Sequence, residues 1–143
     1  MTDEPAVVDA IEKTMELAAT PERVWDALTD PAEVAAWFPD RVDGLEPAAD
    51  GGGWLVWNEH GRYAIRTEAF EPRTRLVWRW ARDSETPLGE GPTTTVEWRL
   101  EPNGRGGTTL RLREEGFLTD HARRQNVAGW EKELGELVAY LEG

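Results

Sequence analysis

Ala18-Ala19-Thr20-Pro21-Glu22-Arg23-Val24-Trp25-Asp26-Ala27-Leu28-Thr29-Asp30-Pro31-Ala32-Glu33-Val34-Ala35-Ala36-Trp37-Phe38-Pro39 reads as two short helices set end to end, and that reading decides the fold. Thr20 is a good N-cap and Pro21 suits the first helical position, after which Val24, Trp25 and Leu28 share one face. Asp30, Pro31 and Glu33 repeat the pattern as cap, first-turn Pro and capping-box carboxylate, with Val34, Trp37 and Phe38 as the apolar face and Pro39 as the stop. Upstream, Ile11, Met15, Leu17 and Ala19 alternate with Glu12, Thr14 and Glu16, the period-2 pattern of a half-buried strand.

Downstream, from Gly51 to Phe117, strands and turns follow one another. Asn58-Glu59-His60-Gly61 separates Trp54–Trp57 from Tyr63–Phe70, and Glu71-Pro72-Arg73-Thr74 separates that run from Leu76–Trp80, which predicts consecutive hairpins. Val96, Trp98 and Leu100 alternate with Glu97 and Arg99, and beyond the turn Asn103–Gly107 Leu110 and Leu112 alternate with Arg111 and Arg113. The polar, Gly/Pro-rich stretch Asp83–Pro92 is a surface loop. Val127, Trp130, Leu134, Leu137, Val138 and Leu141 recur every three or four residues and predict a closing helix of about four turns. Gly129 inside that helix is costly relative to Ala, which points to a close backbone approach to the sheet. The order β-α-α-β-β-β-β-β-α defines an α+β fold in which a long helix covers the apolar face of a curved antiparallel sheet, with residues 1–143 forming one domain.

Composition narrows the function. The 143 residues include no Cys, so disulfides, thiol nucleophiles and Cys-based metal sites are excluded. Acidic residues outnumber basic ones 28 to 16, and a net charge of -12 disfavours nucleic acid and anionic membrane surfaces as partners. Met1-Thr2-Asp3-Glu4-Pro5 has no basic or apolar leader and no apolar run is long enough to span a bilayer, so no membrane insertion and a cytoplasmic location are expected. Ser84, the one serine, lies in the polar loop without a nucleophile elbow. His60 and His121 lack ligand spacing and read as solvated turn and helix-end residues, so neither a metal nor a cofactor is expected. Eight Trp against three Phe and two Tyr suit both a large core and a half-wet pocket. Trp78 and Trp80 are in phase with Leu76 and face inward as core fillers or pocket walls. Glu114 shares the face of Leu110 and Leu112, so it is a polar anchor or acid beneath the helix, unless a bulge or the strand end turns it to solvent.

Residues 18–39 resemble the opening of the Aha1-like branch of the START/Bet v 1 (SRPBCC) superfamily. Phe70-Glu71-Pro72-Arg73-Thr74-Arg75-Leu76-Val77-Trp78 resembles that branch's hairpin. Thr94 and Val96 with Thr109, Leu110, Leu112, Gly116 and Phe117 resemble its late strands, and Gly129-Trp130 with Leu134, Leu137 and Leu141 its closing helix. The resemblance implies a helix-grip fold, often with an apolar cavity for a hydrophobic or amphipathic small molecule between sheet and last helix. It carries no universal catalytic motif, so no catalytic residue is assigned. Expected ligand-binding walls are Trp37, Phe38, Trp57, Trp78, Trp80, Trp98, Phe117 and Trp130, with Glu114 as anchor. The alternatives are a cyclase- or hydrolase-type cavity enzyme using Glu114, and a co-chaperone that activates an Hsp90-type ATPase through a protein contact. As to assembly, both monomer and homodimer stay open.

Overall fold

The computed structural model describes residues 9–46 and 48–142; the N-terminal stretch Met1–Pro5 lies outside the described residues. Its elements are β1 (Ile11–Leu17), α1 (Pro21–Thr29), α2 (Pro31–Trp37), β2 (Arg41–Asp43), β3 (Gly52–Trp57), β4 (Gly61–Glu71), β5 (Arg75–Ala81), β6 (Thr93–Pro102), β7 (Thr108–Glu115) and α3 (Asp120–Glu142). All seven strands form one antiparallel sheet in the order β1-β7-β6-β5-β4-β3-β2. From β2 to β7 the chain meanders strand by strand, and β1 closes the far edge against β7. With α3 packed against the other two helices and β1, this is the α+β helix-grip fold.

The helix pair forms as its caps dictate. Thr20 Oγ1 accepts the Arg23 N–H at 3.2 Å, and Asp30 Oδ1 accepts the Ala32 N–H at 2.9 Å. The capping box on Glu33 does not form, because the Asp30 N–H already closes α1 on the Asp26 carbonyl. Glu33 instead pairs with Arg23 on α1 and accepts the Tyr140 hydroxyl of α3 at 2.9 Å, tying the three helices together.

Two elements depart from expectation. Strand β2 is an addition: its three residues pair with Trp54–Val56 of β3 but are too few to show a period. Helix α3 is 23 residues long, and its first turns are mostly polar. Inward rows on β5, β6 and β7 supply Leu76, Trp78 and Trp80, then Val96, Trp98 and Leu100, then Leu110 and Leu112, all buried. The opposite face carries ion pairs such as Arg75 with Glu97 and Arg79 with Glu68, which accounts for the alternating charges of these strands.

Candidate functional site

Each inward row of β5–β7 changes character at the same end of the sheet. Beyond Trp80 comes Arg82, before Val96 comes Thr94, and beyond Leu112 comes Glu114. The sheet register sets Trp80 opposite Thr94 and Glu114 opposite Val96, so the three rows converge. Strand β7 stays regular through Glu115 and turns only at Gly116, whose φ of 100° suits glycine, so Glu114 keeps its inward phase.

Glu114 is fully buried, and both carboxylate oxygens are taken. Oε1 accepts the Trp130 indole N–H at 2.7 Å and the Asn126 amide at 2.9 Å. Oε2 accepts the Trp80 indole N–H at 2.8 Å and the Thr94 hydroxyl at 2.6 Å. Asn126 Oδ1 in turn accepts from Arg82 at 2.8 Å, which orients the amide, and the Arg82 guanidinium stands 3.7 Å from Glu114. Indole and guanidinium groups can only donate, so they match an acceptor-only carboxylate. This network fixes the rings of Trp80 and Trp130 from behind.

Those rings face a groove of about 550 Å³ between the first half of α3 and the ends of β3, β4 and β5. Phe38, Trp57, Trp80 and Trp130 form its apolar wall. Phe38 is the hub: its ring stacks on Trp130 at 5.5 Å and 13°, and meets Trp57 edge-on at 5.3 Å. His60, Tyr63, Arg82, Asn126 and Glu133 add polar groups. Burial pushes the Glu133 carboxyl up to about 7; Lys132 pulls against this, while Glu136 and Asp40 add to it.

The expected site residues therefore divide. Phe38, Trp57, Trp80 and Trp130 come together on the groove. Trp37, Trp78 and Trp98 fill the interior behind them, and Trp98 stands edge-on to Trp130 at 5.5 Å. Phe117 is buried within 5.4 Å of the Arg82 guanidinium and does not line the groove. Glu114 lies behind the wall. His60, read as a solvated turn residue, is exposed but sits at the groove mouth.

Arg82, Asn126 and Glu133 escaped the sequence reading. Asn126, Trp130 and Glu133 are spaced four and three apart, a signal that places all three on one helix face. Gly129 is a correction: a Cβ there would meet nothing within 4 Å, so the glycine borders the groove and makes no close approach to the sheet. Gly129→Ala should therefore stabilise the chain by about 1 kcal/mol in a urea melt. Gly129→Leu should project into the groove and reduce its capacity for any ligand.

Among the described residues, no cluster of three metal-ligating side chains and no helix long and apolar enough to cross a membrane is present. Residues 18–142 match the model of the family described as Activator of Hsp90 ATPase homolog 1-like protein. No curated protein matches significantly. Among solved structures, DynU16, from the dynemicin biosynthetic locus, is 29% identical with a TM-score of 0.79; the match covers 94% of this chain and 47% of that one, so this chain spans about half its length. MLL2253 from Mesorhizobium loti is 24% identical, TM-score 0.81, over 94% of this chain and 97% of that one. The Aha1 dimer from Colwellia psychrerythraea, solved in solution, is 21% identical, TM-score 0.76, with the same two coverages. The last two bear on the fold alone. With its paired capped helices, the meander β2–β7 and the closing helix all inside the matched span, the chain belongs to the Activator of Hsp90 ATPase homolog 1-like family.

Proposed function

We propose that the chain binds a hydrophobic or amphipathic small molecule in the groove between α3 and the ends of β3–β5. The observation that carries this reading is the aromatic wall of Phe38, Trp57, Trp80 and Trp130, open to about 550 Å³ and faced by the polar side chains of His60, Tyr63, Arg82, Gln125, Asn126 and Glu133. Aromatic walls combined with placed polar groups occur in small-molecule sites, and this volume falls within their range. That DynU16 comes from a biosynthetic locus agrees with a small-molecule ligand.

The neutral probe N-phenyl-1-naphthylamine should bind saturably, one per chain, with a rise in its emission. Trp57→Ala should weaken it at least roughly tenfold per folded molecule, since Trp57 is a half-buried wall residue and the probe would no longer cover the apolar area of its ring. No saturable binding by the wild-type protein would contradict the proposal.

Glu114 serves this site as a positioning residue. Proton transfer to a ligand needs a free oxygen within hydrogen-bond reach, and both of its oxygens are occupied by protein donors. If the groove runs acid–base chemistry, Glu133 is the carboxyl that reaches it. The family match favours one second reading, activation of an Hsp90-type ATPase through a surface contact. Its test is acceleration of such an ATPase by added protein, and no acceleration at saturation rejects it.

A further inference from the structure

Glu133 is the one carboxylate on the groove lining, and among the described residues it makes no hydrogen bond or ion pair. The other ionic group deep in the groove, Arg82, is already answered: Asn126 accepts from it and Glu114 stands 3.7 Å away. The groove thus carries one carboxylate without a partner on the same lining as Trp57, Trp80 and Trp130.

The groups around Glu133 do not change that sign. Lys132 and Glu136 flank it on α3, Asp40 follows α2, and His60 and Tyr63 border the groove from the β3–β4 hairpin. Lys132 acts on Glu133 more strongly than either Glu136 or Asp40 alone, and the two neighbouring carboxylates oppose it. Trp faces attract cations in addition, and a chain carrying -12 draws them from a distance.

We propose that the ligand is an amphipathic arylalkylamine, its ring on the wall of Trp57, Trp80 and Trp130 and its protonated amino group against Glu133. The proposal rests on the small-molecule reading above and names the ligand class. Because Glu133 exchanges its proton at about 7, affinity for an amine should rise with pH through neutrality. A neutral ligand should lack that rise.

Three ligands that share one ring system make the test: 2-(1-naphthyl)ethylamine, 2-(1-naphthyl)ethanol and 1-naphthylacetate, titrated by calorimetry. At pH 8 the amine should bind roughly fivefold or more tighter than the alcohol, the factor expected of one ion pair of about 1 kcal/mol near water. The carboxylate should bind weakest. The amine-to-alcohol ratio should fall toward one at pH 5.5 and in Glu133→Gln. At pH 7 amine binding should displace a proton from Glu133, so its heat should vary with the ionisation enthalpy of the buffer in the wild type and not in the variant. Equal binding of amine and alcohol at pH 8, or tightest binding of the carboxylate, overturns the amine assignment while the alcohol still supports the groove. Binding of none of the three overturns both.

Discussion

Glu114→Ala is expected to lower the unfolding free energy by about 3–5 kcal/mol, the range for breaking a buried charged network on one side. Two buried indole N–H groups and the buried Thr94 hydroxyl would lose their bond to the carboxylate, the Asn126 amide would lose its acceptor, and the Arg82 guanidinium its nearest negative charge. Glu114→Gln keeps the shape but aims an amide N–H at donors, and should cost about 2–3 kcal/mol through its missing charged hydrogen bonds. Urea melts with an unchanged slope and a lowered midpoint would show it. A loss below about 1 kcal/mol for Glu114→Ala would mean that the network does not hold the wall.

Trp130→Ala should cost a similar amount, about 3–5 kcal/mol, as a truncation of a large buried ring. Trp130 has dual character: it is only 3% exposed, yet it is part of the groove lining. It stacks on Phe38, meets Trp98 edge-on and donates to Glu114, so truncation removes core packing and a buried hydrogen bond together. A loss of only about 1–2 kcal/mol would mark a ring with few packed neighbours, contrary to this geometry. Trp130→Phe separates the two contributions, because it keeps most of the ring and deletes the N–H. Combined with Glu114→Gln, it should show a coupling of about 0.5–3 kcal/mol, as groups in one hydrogen-bond network do.

How much of the fold and the site is legible in the sequence depends on the kind of signal. The two caps at Thr20 and Asp30 are local chemistry, and both form as their residue types imply. Glu33 fails as a capping carboxylate because its target N–H is claimed by the preceding helix, a competition that spacing alone does not show. Alternation on β7 is sufficient to bury Glu114, since strand phase fixes the face. Its four partners are not legible, because they come from β5, β6 and α3 and meet only through the register.

For the tryptophans, phase supplies the direction and not the role. Trp78 and Trp80 both face inward among aromatic rings, yet only Trp80 also borders the groove, a distinction that strand phase does not carry. Arg82 continues the same inward row but merges, in the sequence, with the polar loop that follows it. Gly129 misleads for a related reason: a helix glycine signals a missing side chain, and the space it leaves can be a backbone contact or a groove.

A small molecule held against the Phe38–Trp57–Trp80–Trp130 wall should perturb the indole N–H groups beside it, and each of the eight tryptophans supplies one such signal. With ¹⁵N-labelled protein titrated with 2-(1-naphthyl)ethanol, the signals of Trp57, Trp80 and Trp130 should shift saturably and in parallel. Those of Trp25, which packs against Phe70, and Trp54, which packs under Arg62, should stay in place. Saturable shifts confined to Trp25 or Trp54, or no saturable shift in any indole signal, would rule out a ligand on this wall.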